Sequence, residues 1–180
     1  MHERRYNGEV ERLRASQRVV LLEVERTVDL CLDGFQPLNV LDVGTGSGIF
    51  AESFSKRNLQ VTGIDPNPEM TKAAKEFVPT GIFLHGTVEE IPFENKSFDL
   101  VFLGHVLHES DDLIKALSES KRIAKQKVCV LELPYKQEEN GPPVEHRLKD
   151  EDVLAAAKQA GYSRVETVQL QHMVLFRLKI

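Results

Sequence analysis

Asn39-Val40-Leu41-Asp42-Val43-Gly44-Thr45-Gly46-Ser47-Gly48 is the stretch on which the reading of the fold turns. Val40, Leu41 and Val43 have the character of a short, fully buried strand: apolar, partly β-branched and followed at once by turn residues. Three glycines at alternate positions come next, and a helical pattern begins at Ile49. A strand that breaks into glycines and restarts as a helix lets a ligand approach backbone that no Cβ shields. It also places unpaired N–H groups of a helix N-terminus in the same crevice. The spacing is Gly-x-Gly-x-Gly, with Asp42 two residues before the first glycine, and it differs from the dinucleotide pattern Gly-x-Gly-x-x-Gly.

A second landmark lies 21 residues beyond Gly44, where Leu59 to Asp65 reads as another strand ending in a carboxylate. In a right-handed βαβ unit that end lies beside the glycine loop, so Asp65 can reach a ribose placed over it. A carboxylate has acceptor sites for both ribose hydroxyls, and such charge-assisted bonds are stronger than neutral ones. These residues point to a nucleoside-containing ligand. The competing reading of Asp65-Pro66-Asn67-Pro68 is a plain surface turn.

Outward from this centre, strands and helices alternate. Ile49 to Arg57 and Asn67 to Phe77 read as crossover helices, the second with Asn67 as N-cap and Pro68 at its first position. Gly81 to His85, Phe98 to Leu103 and Lys127 to Leu133 read as strands, and Asp111 or Asp112 caps a helix through Ala124. Leu148 to Ala160 is helical and stops at Gly161. Val165 to Leu170 and Met173 to Ile180 follow with only Gln171-His172 between them, a link too short for a parallel return. The expectation is an α/β fold, a Rossmann-like, doubly wound, mostly parallel seven-stranded sheet with one antiparallel C-terminal strand and helices on both faces. Before it, Glu9 to Leu32 carries the apolar spacing of one or two amphipathic helices. The chain is therefore read as one domain, with residues 1–36 as a helical segment on or over the site and 37–180 as the core. The loop from Pro134 to Arg147, holding Gly141-Pro142-Pro143, is longer than a crossover needs, and such loops are often functional.

Composition narrows the class. The chain has 180 residues, 41% hydrophobic and 28% charged, with a net charge of −5. That balance argues against a nucleic-acid partner, which would call for a basic footprint. No apolar run is long enough for a membrane span, and no signal-peptide core opens the chain. Cys31 and Cys129 sit in apolar patterns without metal-type spacing, and a reducing cytoplasm is the expected setting.

The ordered set of motifs resembles the class I S-adenosylmethionine-dependent methyltransferases, and within them the branch of ubiquinone and menaquinone biosynthesis methyltransferases. The resemblance rests on Val40 to Gly48, Gly63-Ile64-Asp65-Pro66-Asn67, Gly86 to Phe93 and Ser97 to Val101. It implies S-adenosylmethionine as cofactor. Gly44, Gly46 and Gly48 would face its methionine part, and Asp42 would organise the loop and the cofactor's amino group. Asp65 would take the ribose hydroxyls, Pro66 would pack on the adenine, and Thr87 and Val88 would lie at the adenine's other edge. Relatives usually carry aspartate where Thr87 stands, a stronger acceptor for the adenine amino group; Glu89 or Glu90 is a candidate to compensate, with solvation of a helix face as the competing role for either. The implied partner is a small-molecule acceptor, and a homodimer is compatible with the resemblance.

On the acceptor side, Gly104-His105-Val106-Leu107-His108-Glu109 follows the fourth strand at the edge where open α/β sheets bind ligands. His105 is the candidate general base or substrate contact, expected to titrate near pH 6–7. His108 is expected to satisfy a local hydrogen bond. The two are spaced as ligands on one helical turn would be, but no third ligand is evident and no metal is expected. His146 and Arg147 are candidate substrate contacts after the long loop, and Tyr6 a candidate lid contact. Two other functions fit the same glycine loop: a protein that binds S-adenosylmethionine without turnover, and a nicotinamide-dependent oxidoreductase.

Overall fold

In the computed structural model, which describes residues 10–137 and 143–180, the glycine loop sits beneath one edge of a seven-stranded sheet. Tyr6 and Gly141-Pro142 lie outside the described residues. In chain order the elements are α1 (Val10–Leu13), α2 (Ser16–Leu22), α3 (Val24–Leu32), β1 (Asn39–Val43), α4 (Ile49–Lys56), β2 (Gln60–Asp65), α5 (Pro68–Phe77), β3 (Ile82–His85) and β4 (Phe98–Gly104). There follow α6 (Leu113–Ile123), β5 (Ala124–Glu132), α7 (Asp150–Gln159), β6 (Arg164–Gln169) and β7 (Val174–Lys179). The strand order is β3-β2-β1-β4-β5-β7-β6. The pairs from β3 to β5 are parallel, and β7 runs antiparallel to both β5 and β6.

The two-residue period of a strand divides the apolar residues between two cores. Leu41, Val43, Val101, Leu103, Val128 and Val130 pack with Ala116 and Leu117 of α6 and Val153 and Ala156 of α7. Val40, Leu100, Phe102, Cys129 and Leu131 face the other way, against Val28 and Cys31 of α3 and Phe50 and Phe54 of α4. Both cysteines are buried free thiols. Helices therefore cover both faces, and the central strands, apolar on both sides, read as continuous runs.

Local chemistry sets the helix starts. Asn67 Oδ1 accepts the Glu69 amide at 3.0 Å with Pro68 at the first position of α5. Asp112, rather than Asp111, caps α6, accepting from the amides of Ile114 and Lys115 at 2.9 and 3.0 Å. Two boundaries depart from expectation. The N-terminal segment is three short helices, broken at Ala15 and at Glu23, whose backbone is left-handed (φ 44°). Glu23 is held there by tertiary contacts: its Oε1 accepts from the amides of Gln171 and His172 at 2.6 and 3.2 Å. α6 ends at Ile123, and β5 begins three residues earlier than Lys127, with Ala124 already paired to Phe98.

Phe102 ties the second core together, with its ring 4.7 Å from that of Phe50 and 5.4 Å from that of Phe54, and no exposed surface. Phe102→Ala should lower the unfolding free energy by about 3–5 kcal/mol in urea denaturation, the cost of removing a buried aromatic ring. A loss below about 1 kcal/mol would mean that the α4 side of the sheet is not packed as described.

Candidate active site

The turn from β1 into α4 uses all three glycines in the left-handed region, at φ 66°, 51° and 76° for Gly44, Gly46 and Gly48. Space is as restrictive as φ. A Cβ on Gly44 would lie 2.5 Å from Cγ2 of Val106, and one on Gly48 would lie 2.9 Å from Cβ of Ala74 in α5. The amides, however, do not point into a crevice. Thr45 N donates to Ile64 O at 3.0 Å, Gly46 N to Asp65 Oδ2 at 2.9 Å, and Gly48 N to Thr45 O at 2.9 Å. Three amides of the loop that precedes α4 are therefore already bonded within the protein. Those three donors are not open to a pyrophosphate, which would need them.

Two carboxylates organise the loop. Asp65, at the end of β2, accepts the Gly46 amide on Oδ2 and the Asn67 amide on Oδ1 at 2.9 Å. Burial raises its pKa, and the two amides counter part of that rise. Each oxygen keeps a further lone pair. Asp42 lies below, 2% exposed, accepting the Thr45 hydroxyl at 2.7 Å. Burial pushes Asp42 to about 7, with the neighbouring charge of Asp65 adding to the rise against the Thr45 and Ala51 hydrogen bonds. It thus supports the loop from beneath.

The other expected cofactor residues gather at the same edge. His85 pairs with Asp65 in the sheet, so Gly86, Thr87 and Val88 follow directly beside it. Gly86 is pressed between Ile64 and Pro92, and Val88 is buried in the first core. Thr87 is half-buried and bridges Glu90, whose amide reaches Thr87 O at 3.3 Å. Glu89 does not compensate at Thr87, because its carboxylate accepts the amides of Asp111 and Asp112 at 2.6 and 3.3 Å. Pro66 is exposed. Over the loop lie Leu13, whose Cδ1 would be 3.3 Å from a Cβ on Gly46, and Arg14, whose guanidinium donates to Ser47 O at 2.9 Å. Arg14 also pairs with Glu52 and stacks 3.5 Å over the ring of Phe77.

Beyond β4 the chain turns through His105 with φ 61°, a left-handed conformation unusual outside glycine and enriched at functional sites. The His105 amide is fixed to Leu131 O at 2.8 Å, and its ring stands edge-to-face against His108, with centroids 4.6 Å apart. Its Nε2 is buried and has no hydrogen-bond partner among the described residues. Burial, with the charge of His108 next, lowers its pKa to about 4, so the expected titration near pH 6–7 does not hold.

His108 lies in a single helical turn, Leu107–Glu109, with Nδ1 at 2.8 Å from Oε2 of Glu132. Oε1 of the same carboxylate accepts the Leu107 amide at 2.7 Å and the His108 amide at 3.3 Å. Burial alone would depress His108 and raise Glu132, but their mutual attraction outweighs it and holds His108 high and Glu132 low. Glu132, the last residue of β5, is absent from the sequence-based set. The available signal was an acid closing an otherwise apolar strand at the ligand edge. Of the two residues after the long loop, Arg147 is buried and donates to the carbonyls of Pro134 and Lys136 at 3.3 and 2.8 Å, whereas His146 is exposed.

A family model described as a methyltransferase domain matches residues 41–130, half of the chain and the whole run from β1 to β5. The chain belongs to the class I S-adenosylmethionine-dependent methyltransferases. It is 36% identical over 99 residues to a demethylmenaquinone methyltransferase of Chlorobaculum tepidum, covering 54% of this chain and 41% of that one. A ubiquinone/menaquinone biosynthesis C-methyltransferase of Campylobacter jejuni is 28% identical over 137 residues, covering 72% of this chain and 54% of the relative. The chain thus spans about half the length of the curated relatives it matches. The fold is also that of a solved S-adenosylmethionine-dependent methyltransferase from Aquifex aeolicus, with TM-score 0.82, 24% identity, and 95% and 96% of the two chains covered.

The Asp42 carboxyl gives this methyltransferase domain a pH signature. Its folded value, about 7, lies above the ordinary 3.8, so its contribution to stability is fully present below 3.8 and is lost as pH rises through 7. Between pH 4 and pH 8 the wild type should lose more unfolding free energy than Asp42→Asn, by on the order of 4 kcal/mol at 1.4 kcal/mol per pH unit. Parallel pH profiles in urea titrations would mean that Asp42 ionises like a surface carboxylate.

Proposed function

We propose that the chain transfers the sulfonium methyl of S-adenosylmethionine to a nucleophilic atom of a small molecule by in-line attack. The observation that carries this reading is the convergence of Asp65, the Gly44–Gly48 loop and the Gly86–Val88 turn at one edge of the sheet, within a chain of this family. Asp65 uses its remaining lone pairs for the ribose hydroxyls. Gly44, Gly46 and Gly48 leave room for the methionine part, Pro66 offers an exposed apolar ring to the adenine, and Thr87 and Val88 close its other edge. Asp42 keeps the loop in shape beneath the cofactor. α1 and Arg14 cover the loop and act as the lid under which the cofactor is held.

His105 takes the acceptor side, as a contact at the carboxyl end of β4. Transfer of a methyl from a sulfonium needs alignment above all, and few side chains need exchange protons. The names of the relatives, a demethylmenaquinone methyltransferase and a C-methyltransferase of ubiquinone/menaquinone biosynthesis, support an acceptor of small-molecule size. A net charge of −5 supports the absence of a nucleic-acid partner. No helix among the described residues is long and apolar enough to cross a membrane.

S-adenosylhomocysteine should bind one to one and raise the melting temperature, by the equivalent of about 2.7 kcal/mol at 100 times its dissociation constant, whereas NAD should leave it unchanged. Asp65→Ala should weaken that binding by about 1.5–3 kcal/mol in calorimetric titration, the range for hydrogen bonds to a charged group. Equal affinity would remove Asp65 from the site.

Thr87→Asp tests the adenine edge separately. An ionised acceptor bonds about twice as strongly as a neutral one, so the variant should bind S-adenosylhomocysteine more tightly. A neutral or weaker result would show that the Thr87 hydroxyl faces elsewhere.

A further inference from the structure

The turn after β4 and the end of β5 bring together three side chains, of which the methyl-transfer reading uses only His105, as an acceptor contact. One nitrogen of His105, one of His108 and one carboxylate oxygen of Glu132 lie within 4.8 Å of one another. We propose that these three residues form a site for a divalent transition metal of the zinc kind, with one coordination position left open. The site stands on its own donors and does not depend on the methyl-transfer reading.

Three observations carry it. First, the pairing of His108 with Glu132 explains those two side chains but leaves His105 unexplained. Its Nε2 is buried without a partner, and native structures rarely leave such an atom unsatisfied. A metal supplies the missing partner. Second, the donors are fixed before any ion arrives. Glu132 Oε1 is held by the amides of Leu107 and His108, the His105 amide is bonded to Leu131 O, and its left-handed backbone turns the ring toward His108. Outer hydrogen bonds of this kind orient metal ligands.

Third, the chemistry of the set is selective. Two imidazoles and a carboxylate suit zinc and its neighbours, while magnesium and calcium prefer oxygen ligands throughout. Three protein ligands are the number that leaves a fourth position for water or a substrate atom. His108 Nδ1 and Glu132 Oε2, at 2.8 Å, now share a proton. Zinc bonds of about 2.0–2.2 Å to both would spread them slightly and release that proton to solvent. Of the charges facing the rings, Arg18 on α2 opposes a cation, and Glu109, 4.0 Å from His108 Nε2, favours one. Glu132 then decides the balance.

The test uses the full chain, stripped with a chelator and titrated with Zn²⁺ by calorimetry and with Co²⁺ by visible absorption. One ion per chain is expected, with the strong absorption of a tetrahedral cobalt site. His105→Gln and Glu132→Gln should each weaken Zn²⁺ binding at least about tenfold. His172→Ala, a histidine on the β6–β7 link, should leave it unchanged. Circular dichroism reports whether each variant folds, and if Glu132→Gln does not, His105→Gln decides. Absence of saturable binding, unchanged affinity in His105→Gln, or loss of binding in His172→Ala would overturn the site. S-adenosylhomocysteine binding by the same samples keeps the two questions apart: if it persists while Zn²⁺ fails to bind, only the metal site falls.

Discussion

At Gly44 and Gly48, between β1 and α4, there is no room for a β-carbon, and the turn around them depends on that restriction. Gly44 lies against Val106, and Gly48 lies against Ala74 of α5. Because these contacts replace side chains with backbone, the glycine turn is clamped between the helix after β2 and the turn after β4. The clamp on Val106 also places its neighbours: His105 on one side, with its amide on Leu131 O, and Leu107 on the other, with its amide on Glu132. The contact that packs the glycine turn is thus the same one that positions the turn after β4.

Three carboxylates meet at this edge, and each avoids the cost of burial by a different route. Asp65 is satisfied by two loop amides. Glu132 is held charged by His108 and by backbone amides. Asp42 has a hydroxyl and an amide but also the repulsion of Asp65, and it is the one pushed to about 7. An isolated buried carboxylate would be far more costly than any of these, so the hydrogen bonds are what make the cluster compatible with a stable fold.

The sheet and its one antiparallel strand could be read from residue order, and so could the meeting of the glycine loop with Asp65 at one edge, because each rests on local signals. Val40 to Gly48 announces strand, turn and helix within ten residues, and Asn67-Pro68 announces a cap. What could not be read depends on residues far apart in the chain. Glu23 takes a left-handed backbone because Gln171 and His172 need an acceptor, and no glycine or proline marks the break. Glu132 looks like an ordinary strand terminus, since its partners Leu107 and His108 lie 25 and 24 residues away. The bonded loop amides were misread for a similar reason: Gly46 N meets Asp65 only once β2 has docked beside β1.

The opposite edge of the sheet offers a contrast. A groove of about 520 Å³ opens there, lined by Asn39, Asn58, Gln60, Thr80 and Phe98 among others. Beside it, next to Phe98, a charged group is fully paired. Asp99 accepts the Leu38 amide at 2.8 Å, pairs with Lys125 at 2.9 Å and gives its own amide to Asn39 at 2.7 Å. Burial would raise the Asp99 carboxyl, but these partners outweigh it and hold the pKa low, the signature of a group that stabilises the fold. At the carboxyl edge the His108–Glu132 pair is stabilised in the same way, but other signs are reversed: Asp42 and Asp65 are raised, His105 is lowered, a non-glycine backbone sits left-handed, and a ring nitrogen is unpaired. Similar residue types relieve strain at one edge of the sheet and store it at the other, and stored strain of this kind is what a ligand can relieve.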